Sequence, residues 1–514
     1  MIHLILELEL VPGQAEDELT TVASQRFRAP LSLRRILKKS LDARKKDRVV
    51  VRYRAVFEAT EGDTPRLVRQ GAEVWVPEPV ETPVPTHRHP GVIIVGSGPA
   101  GLFCALRLLE RGVTCTILEQ GKPVEERHTD IERLRADGTL DPDSNVVFGE
   151  GGAGTYSDGK LTTRIHKPGI SWVFDRLVEH GAPGSILFDA KPHVGTDVLS
   201  SVVASIRRRL TEGGSQVLFG QKVVELLGHD GRVSGVRTAS GQEFPAEDVV
   251  LACGHSARSL YEMLAANRIL LEPKGFAVGV RIEHPASFIN RAQFGTWADR
   301  LPAADYRLTW NNPATGRGTY SFCMCPGGEV VNSSSEPGRL CVNGMSSSRR
   351  DLPWSNAALV TTVGPGDFPP GLLGGLEFQR NLEAAAFAAG GGGQTSPIGS
   401  ARAFLEGRAP SSVPTSYRPR TAAAGFDTFL PSFLAAELRL ALADFDRKVP
   451  GFVDEGTLIG VETRTSSPVR IVRGEDLQSP SLKGLFPAGE GAGYAGGIVS
   501  SAVDGVRIAD FLCS

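Results

Sequence analysis

Residues 91–121, GVIIVGSGPAGLFCALRLLERGVTCTILEQG, hold the pattern from which the architecture is predicted. The apolar, β-branched run 92–95 is typical of a short strand buried in a parallel sheet. Leucine and alanine then recur at helical spacing as far as Gly112, and a second apolar run, 113–118, ends at Glu119. Between the first run and the helix stand three glycines at G-x-G-x-x-G spacing: Gly96, Gly98 and Gly101. The order strand, glycine turn, helix and strand predicts a Rossmann-type α/β domain.

The glycines and the start of the helix have separate physical roles in binding a dinucleotide. Gly96 permits the tight turn, Gly98 lets the backbone approach a pyrophosphate, and Gly101 lets the helix pack closely on the strand. Pro99 and Ala100 begin the helix, where unpaired N–H groups and the positive end of the helix dipole favour phosphate. We therefore predict that this turn binds the pyrophosphate of a dinucleotide.

The acidic end of the second strand completes this pattern. Glu119 stands where a carboxylate accepts hydrogen bonds from an adenosine ribose, and Gln120 follows it directly. The alternative is a glycine-rich turn between strand and helix that binds no ligand. Because the strand, the helix, the second strand and the acid all occur in order, the dinucleotide site is favoured.

Length, charge and cysteine content narrow the class of protein. A chain of 514 residues exceeds the usual size of one hydrophobic core, so we expect two or three domains. With 56 basic and 58 acidic residues, the overall charge does not indicate a nucleic-acid or membrane partner. No apolar run approaches the length of about eighteen residues that spans a bilayer, and the start MIHLILELEL lacks the basic residues of a secretory signal. Seven scattered cysteines, an odd number, fit reduced thiols and predict a cytoplasmic location.

The chain before the glycine pattern is predicted to be a small α+β domain, residues 1–76, with a β-α-β core. The Pro-rich segment 77–90 is predicted to be an extended linker. Twelve lysine or arginine residues and only two acids lie between Arg26 and Arg54. This basic run predicts either an anion-binding surface that could dock RNA or a solvated helix and edge strand, and the solvated surface is favoured.

Two further segments of the nucleotide-binding type follow the first. Residues 148–161, FGEGGAGTYSDGKL, contain Gly152 and end at Lys160 and Leu161. Backbone N–H groups of such a loop can lie against a flat ring, and Lys160 can place a positive charge near an electron-rich cofactor or an anionic substrate. The alternative is an ordinary surface hairpin. The predicted strand DVVLACG, 248–254, ends in small residues up to Gly254, as expected where a chain passes close to a nucleotide.

From residue 275 the pattern changes to short strands separated by turns. It predicts an inserted α+β domain, residues 275–455, with a largely antiparallel sheet that contacts substrate. The end of the chain returns to the first pattern with a third glycine loop, AGEGAGYAGGI at 488–498, and a terminal helix. The dinucleotide-binding domain is therefore predicted to be discontinuous, comprising residues 91–274 and 456–514.

The three glycine loops resemble those of FAD-dependent enzymes of the glutathione-reductase-like superfamily, in the branch with a single Rossmann motif and an inserted substrate domain. The whole chain more closely resembles a family of uncharacterised FAD-dependent dehydrogenases or oxidoreductases. The motifs that carry this resemblance occur in order along the chain: LDARKKD (41–47), GGAGTYSDGKL (151–161), GVRIEHP (279–285), FCMCPGG (322–328), ETRTSSPVRI (462–471) and AGEGAGYAGGI (488–498).

The resemblance implies FAD as the cofactor and flavin redox chemistry. It implies that Val223 pairs with adenine through its backbone and that Gly489 and Glu490 face the ribityl-phosphate region. Glu490 stands where aspartate is common in the superfamily. The flavin pyrimidine ring would lie beside a helix N-terminus formed by Gly496, Gly497 and Ile498. The positive end of that helix dipole would stabilise negative charge on reduced flavin.

Lys160 and Cys325 are the candidate catalytic residues. Cys325 belongs to a Cys-x-Cys pair with Cys323, for which three interpretations are open. A metal site would need further ligands that Cys341 alone does not supply, so no metal site is predicted. A redox-active pair that exchanges electrons with flavin more often has two intervening residues. Structural or substrate-shaping thiols are the favoured interpretation.

Arg281 and Arg464 are the candidate substrate-binding residues. The alternatives are that Arg464 orders the chain where it re-enters the nucleotide-binding domain, and that Arg281 and His284 form a polar pair at a strand end. The predicted function is hydride exchange between flavin N5 and an unidentified small molecule. Because no second Rossmann motif occurs, NAD(P)H would bind only transiently. The alternative functions are a flavoprotein that acts on or binds RNA through its basic N-terminal domain and a scaffold with a structural flavin.

Overall fold

The structure, a computed structural model, describes residues 1–77, 91–163 and 169–514. Of the predicted linker, residues 77–90, the structure describes only Pro77. The rest of the linker lies outside the described residues.

 The fold predicted from the glycine patterns is confirmed: a parallel α/β sheet of the Rossmann type is accompanied by a large, mainly antiparallel sheet and a small α+β part at the amino terminus.

The amino-terminal part is an antiparallel sheet with strand order β2-β3-β1-β4. Its elements are β1 (Ile2–Leu10), α1 (Glu18–Phe27), β2 (Ser32–Asp42), β3 (Val50–Ala59), α2 (Thr64–Arg69) and β4 (Glu73–Val74). Alternation in β1 buries Leu4, Leu6 and Leu8 in one cluster with Leu19 and Phe27 of α1. The sequence did not indicate β2, because its basic side chains obscure the alternation. Charged side chains suit its place at the edge of the sheet.

The next part contains the glycine pattern and most of the predicted nucleotide-binding elements. They are β5 (Val92–Val95), α3 (Pro99–Glu110), β6 (Cys115–Leu118), α4 (Val124–Asp137), α5 (Gly152–Thr155), α6 (Ile170–Glu179), α7 (Thr196–Glu212), β7 (Gln216–Leu218), β8 (Val223–His229), β9 (Arg232–Thr238), β10 (Glu243–Pro245), β11 (Asp248–Leu251), α8 (Arg258–Ala266) and β12 (Leu271–Pro273). The apolar pattern of residues 217–227 predicts one strand, and this prediction is wrong: β7 and β8 are separate strands that belong to different sheets.

The remaining elements form the mainly antiparallel sheet and then return to the nucleotide-binding part. They are β13 (Phe276–Pro285), α9 (Ala286–Phe294), β14 (Thr309–Asn311), β15 (Gly318–Cys325), β16 (Glu329–Asn332), β17 (Val342–Met345), β18 (Trp354–Val363), α10 (Gly374–Ala389), β19 (Thr395–Ser400), α11 (Ala401–Leu405), β20 (Arg420–Ala423), α12 (Ser432–Lys448), β21 (Thr457–Glu462), β22 (Val469–Ile471), β23 (Leu485–Pro487) and α13 (Ile498–Leu512). The seven-stranded sheet has the order β14-β15-β18-β13-β21-β19-β20, in which only the β19–β20 pair is parallel. The exact domain boundaries stay a prediction.

The parallel sheet has the strand order β23-β11-β5-β6-β7. Neighbouring strands pair in parallel throughout, including β23 with β11. Their carboxyl ends therefore lie at one edge, where open α/β sheets bind ligands. The first and third glycine loops leave the sheet at this edge, after β5 and β23, and the small residues that end at Gly254 follow β11 there.

The terminal helix α13 packs on α3, directly behind the first glycine loop. An ideal Cβ on Gly505 would lie 2.1 Å from the Ala100 carbonyl oxygen, so only glycine permits this close approach. Arg107 of α3 also binds Asp510 of α13, with Nε 2.7 Å from Oδ1. The end of the chain therefore supports the loop that begins at Gly96.

A buried ion cluster joins α8 of the nucleotide-binding part to α10 beside the large sheet. Glu383 of α10 is fully buried and accepts hydrogen bonds from Arg258 of α8, at 2.6 and 2.9 Å, and from Arg464, at 3.1 Å. Thr463 donates a further bond of 2.6 Å from its hydroxyl group. This cluster, Glu383 with Arg258 and Arg464, fixes the two parts relative to one another.

Candidate functional site

Steric contacts explain why the first loop requires glycine at two of its positions. Gly96 has φ +102°, and an ideal Cβ there would lie 2.5 Å from the Ala252 carbonyl oxygen. A Cβ on Gly101 would lie 2.1 Å from the Gly96 carbonyl oxygen. Both distances are far below van der Waals contact, so a side chain at either position would force the strand and helix apart.

The second and third glycine loops pack against the first. A Cβ on Gly152 would lie 3.3 Å from Gly98 Cα, and a Cβ on Gly489 would lie 2.8 Å from Ala100 Cβ. The Gly489 N–H donates to Asp504 of α13 at 2.8 Å, which holds the third loop on the terminal helix. Segments that are distant in sequence thus form one glycine-lined surface at the carboxyl edge of the parallel sheet.

Two helices point uncapped N-termini into this surface. Helix α3 follows Gly98 and α13 follows Gly497, and neither first turn has a side-chain hydrogen-bond cap. A Cβ on Gly254, Gly496 or Gly497 would meet no atom within 4 Å, so these residues border open space. N–H groups at such helix ends bind phosphate or stabilise nearby negative charge. This arrangement fits a dinucleotide.

Glu119 ties the loops together through four hydrogen bonds. Its Oε2 accepts from the Ser97 amide at 2.9 Å and from the Ser97 hydroxyl at 2.8 Å. Its Oε1 accepts from the amides of Gly121 at 2.9 Å and Gly149 at 3.1 Å. A carboxylate has about four lone-pair sites, so protein donors already match its acceptor capacity. The contact of Glu119 with a ribose therefore stays a prediction, whereas its role in fastening two glycine loops is evident.

Gln221 provides an unused acceptor at the end of the surface predicted to bind adenosine. Its amide N–H donates to the Glu119 carbonyl oxygen at 2.8 Å, and Val223 begins β8 two residues later. The side-chain Oε1 of Gln221 is buried and has no hydrogen-bond partner within the described residues. Buried polar atoms are normally paired, so this oxygen fits a donor group on a bound cofactor.

The second glycine loop ends in a charged cluster that also contains a residue of the large sheet. Lys160 Nζ lies 2.9 Å from Asp158 Oδ2 and donates to the Met324 carbonyl oxygen of β15. Arg350 is a second cationic partner of the buried Asp158, with Nε 3.0 Å from Oδ1. Burial opposes the charge on Lys160, but nearby cysteine and aspartate charges raise its pKa, so it is protonated at neutral pH.

Arg281 is fully buried and organises the centre of β13, β15 and β18. Its Nε donates to Asn356 Oδ1 at 2.8 Å, and its Nη1 lies 2.5 Å from Glu462 Oε2. Its Nη2 donates to the Cys323 carbonyl oxygen at 2.7 Å and lies 3.4 Å from Cys325 Sγ. Arg281 therefore contacts the cysteine pair directly. The motif GVRIEHP does not reveal this contact, because the cysteines lie on another strand.

Two carboxyl groups near this cluster titrate close to neutrality. Burial raises the pKa of Glu462 to about 7, with an opposing effect from Arg281 and a further increase from Cys323. Burial also raises the pKa of Glu490 to about 7, and Cys323 adds to the increase. His255 Nε2 lies 3.8 Å from Glu490 Oε1, but burial lowers the pKa of His255 to about 4, so it is neutral at pH 7. Glu462 and Glu490 can each hold or release a proton at neutral pH.

The structure brings Lys160, Cys325 and Arg281 together. Arg464 and His284, which the sequence also suggested as site residues, have other partners. The contacts of Arg464 with Glu383 and Ser335 favour the ordering role over substrate binding. His284 is buried among aromatic rings, and its Nε2–H donates to the Phe452 carbonyl oxygen at 2.8 Å. It is a core histidine.

Three residues of this cluster are not predicted from the sequence: Asp158, Arg350 and Glu462. Asp158 and Glu462 lie in family motifs without a distinct pattern of their own, and Arg350 lies outside those motifs. The one usable signal is that Asp158 and Glu462 lie within the motifs that carry the family resemblance. Arg350 and Asp158 are 192 residues apart in the sequence, so local residue spacing cannot predict their contact.

Ion pairs neutralise half of the basic run of the amino-terminal part. Six of its twelve basic residues pair with acids inside residues 1–77: Arg34, Lys39, Arg44, Arg48, Arg52 and Arg54. These pairs favour a solvated charged surface, and no contact in this part specifically supports RNA binding.

Across the described residues, no three histidine, cysteine or acidic side chains come together as metal ligands. Nor does any helix in the same ranges have the length and apolar character needed to cross a membrane.

Three segments of the chain match known families. Residues 91–131 match an FAD binding domain, and residues 275–465 match the family described as FAD-dependent protein, C-terminal domain-like. Residues 1–58 match a domain of unknown function, DUF8436. An uncharacterized protein of Clostridium beijerinckii is 44% identical over 427 residues, covering 82% of this chain and 80% of the relative.

Solved structures with a similar arrangement are distant. CtdE in complex with FAD has 11% identity and a TM-score of 0.31, with 82% of each chain covered. The glycerol-3-phosphate dehydrogenase from Bacillus halodurans complexed with FAD has 11% identity and a TM-score of 0.35, covering 83% of this chain and 65% of that one. Similarity at this level supports no conclusion about the reaction.

Proposed function

The chain belongs to a family of FAD-dependent oxidoreductases, and from that premise we propose that it exchanges a hydride between FAD and a small-molecule substrate beside Lys160, Cys323 and Arg281. FAD supplies the two-electron, hydride-accepting chemistry when it is bound. The protein supplies the binding surface, the charges around it and the groups that hold protons.

The hydrogen bond from Lys160 to Met324 is the main support for this proposal. Lys160 belongs to the glycine loop that packs on Gly98, yet its ammonium group donates to the Met324 carbonyl oxygen between the two cysteines. The cofactor-binding surface and the cysteine cluster of the large sheet are therefore adjacent. A substrate that reaches this junction would meet a cation, two thiols and carboxyl groups that titrate near pH 7.

The residues that would hold FAD follow from the fit of the glycine surface. The turn from Gly96 to Gly101, with Pro99 and Ala100 at the start of α3, would bind the pyrophosphate through backbone N–H groups. At the adenosine end we propose Glu119, Gln120, Val223 and the unpaired Gln221 oxygen. Around the flavin end we propose the residues of the remaining loops: Gly152, Gly254, Gly489, Glu490, Gly496, Gly497 and Ile498.

The charged side chains would orient substrate and move protons. Lys160, held as a cation, would bind an anionic or carbonyl oxygen of the substrate. Glu462 is fixed by Arg281, and it could accept or return a substrate proton because its pKa lies near neutrality. The N-terminus of α13 would stabilise negative charge on the cofactor.

Anaerobic reduction tests the proposed function. We expect purified protein to retain FAD and to lose flavin absorbance when NADH, NADPH or an oxidisable substrate is added without oxygen. A saturable rate with one donor would identify the source of electrons. Protein that neither contains nor takes up FAD, or whose flavin no two-electron donor reduces, would contradict the proposal.

Replacing Lys160 by methionine should make the bound flavin harder to reduce. Loss of a nearby positive charge destabilises the negatively charged reduced cofactor, and a loss of about 1.4 kcal/mol corresponds to about 30 mV for two electrons. We therefore expect the flavin midpoint potential of Lys160→Met to fall by roughly 30 mV, measured by spectroelectrochemistry. Lys191→Met is the matched control, because Lys191 is exposed and pairs with the exposed Asp305. Equal potentials in the two variants would exclude Lys160 from the cofactor environment.

A further inference from the structure

We infer that Cys323 and Cys325 are a redox-active pair that cycles between dithiol and disulfide and exchanges two electrons with the flavin. This inference rests on the proposed function and deepens it, because it assigns an electron carrier within the same site. The sequence favoured structural thiols for this pair, and three features of the structure argue for the redox role.

The first feature is the backbone at the pair. Between Phe322 and Cys325, strand β15 advances one residue more than its partner β18, so Cys323 lies in a bulge. Cys323 has φ +42°, a left-handed conformation that is uncommon for a residue with a side chain. Such conformations concentrate at functional sites. The bulge therefore imposes a special geometry on a residue with a reactive side chain.

The two cysteines are also close enough to react. Alternate residues of a regular strand have Cα atoms about 6.6 Å apart, near the upper end of the range of about 4.4–6.8 Å found in disulfides. The bulge departs from regular strand geometry, and Cys325 Sγ lies 3.4 Å from the Cys323 carbonyl oxygen. The Cys325 side chain thus folds back along the chain toward Cys323.

The second feature is the positive charge around the pair. Arg281 Nη2 contacts both the Cys323 carbonyl oxygen and Cys325 Sγ, and the Lys160 ammonium group binds the residue between them. Hydrogen bonding from Cys325 lowers the pKa of Cys323 well below its usual range, and Lys160 and Arg281 add to the effect against the cost of burial. The same hydrogen bond, together with burial, raises the pKa of Cys325. The pair is therefore held as one thiolate and one thiol.

The other five cysteines of the chain provide an internal comparison. Burial raises the pKa of each of them: Cys104, Cys115, Cys253, Cys341 and Cys513. Raised pKa values are typical of inert thiols, and a thiolate near lysine or arginine is typical of a reactive one. Cys323 alone among the seven has the electrostatic environment of a reactive cysteine.

The third feature is the difference in exposure within the pair. Cys323 is half-buried, whereas Cys325 is fully buried. The accessible thiolate can attack or be attacked, and the enclosed thiol is protected from oxidants that are free in solution. This division suits a pair that reacts with the adjacent cofactor and with a substrate reaching Cys323.

The exchange balances without any further reactant. A bond forms between the two sulfur atoms, the S–H bond of Cys325 breaks, and two electrons and one proton leave the pair. Both electrons and that proton would pass to oxidised FAD, which supplies two-electron redox chemistry when it is bound, so neither an outside acid nor an outside oxidant would be required. In the reverse direction the disulfide would accept two electrons and one proton and become one thiol and one thiolate.

Counting electrons in an anaerobic dithionite titration of the oxidised holoprotein tests the inference. We expect uptake of about four electron equivalents by the unmodified protein, two for FAD and two for the disulfide, and of about two by Cys323→Ser. Cys513→Ser is the matched control, because this half-buried cysteine lies at the end of α13, and it should retain the uptake of about four. Uptake of about two by the unmodified protein would overturn the inference while leaving the flavoprotein function intact.

A second measurement covers the case in which a cysteine variant fails to fold. The unmodified protein, with and without FAD, is equilibrated in glutathione buffers, quenched with acid, alkylated under denaturing conditions and analysed by mass spectrometry. We expect Cys323 and Cys325 to become protected from alkylation together as the buffer becomes more oxidising. Independent protection, or none at any potential, would contradict the pair. Because the apoprotein is included, failure to bind FAD is recognised separately.

Discussion

Replacing Glu383 by alanine is expected to lower the free energy of unfolding by about 3–5 kcal/mol, the usual consequence of removing one partner from a buried ion pair. Arg464 would remain in the interior without the Glu383 carboxylate, and Arg258 would keep only its contact with the partly exposed Glu336 among the acids that bind it in the described residues. Burial alone would raise the pKa of Glu383, but these two arginines hold it well below its usual range, which shows how strongly the charges interact. The midpoint and slope of urea denaturation, followed by circular dichroism and flavin fluorescence, measure the loss.

Glu336→Ala is the matched control for this experiment. Glu336 also binds Arg258, at 2.6 Å, but its side chain is 26% exposed and water can replace it. We expect a loss of about 1 kcal/mol or less, as for exposed ion pairs. Equal destabilisation by the two substitutions would mean that Glu383 does not hold the nucleotide-binding part and the large sheet together.

Replacing Glu119 by alanine is expected to weaken FAD binding on the order of 100-fold, equivalent to about 2.7 kcal/mol. The substitution leaves the amides of Ser97, Gly121 and Gly149 without an acceptor, and buried donors without partners carry a penalty of about 1–3 kcal/mol each. The glycine loops would then be free to separate. Titration of apoprotein with FAD, followed by quenching of flavin fluorescence, gives the dissociation constant.

Two further variants make this result specific. Glu119→Gln retains one acceptor oxygen but places an NH₂ group against protein N–H donors, so its affinity should fall between those of the parent and the alanine variant. Glu126→Ala removes an exposed carboxylate on α4 and should leave the affinity unchanged. An unchanged dissociation constant for Glu119→Ala would show that the loops keep their arrangement without this carboxylate.

The parts of the fold that local pattern controls could be predicted from the sequence. The strand β5, the helix α3 and the strand β6 each follow from runs of apolar residues with a fixed period, and the glycines between them have a steric requirement that spacing reveals. The discontinuity of the nucleotide-binding domain could be predicted in the same way, because the last glycine loop repeats the glycine-rich pattern of the first.

The strands β2, β7 and β8 could not be predicted correctly from the sequence, because contacts with distant residues determine their conformation. Residues 217–227 look like one strand, but residues 219–222 leave the sheet: Gly220 has φ +68° and the Gln221 amide donates to the Glu119 carbonyl oxygen. The strand β2 escaped notice because an edge strand does not need an apolar face. In both cases the deciding partner lies elsewhere in the chain.

The same limit applies to the cluster around Lys160. Its residue types are ordinary charged and thiol groups, and their significance arises only when Lys160, Cys325 and Arg281 meet from different elements. Arg464 looked similar to Arg281 in sequence, since both follow strand-like residues in family motifs. Both bind a buried carboxylate, but only Arg281 also contacts the cysteine pair, through the Cys323 carbonyl oxygen and the Cys325 sulfur atom.

The position of β23 beside β11 has a consequence for synthesis of the protein. The strand Leu485–Pro487 completes the parallel sheet, and Gly489 and α13 complete the glycine surface, yet all three follow the whole large sheet in the chain. On the ribosome, the inserted part therefore emerges before the nucleotide-binding part can close. Cofactor loading therefore waits until β23 and α13 have been made, and a nascent chain that stalls before Leu485 would expose an unfinished edge of the parallel sheet.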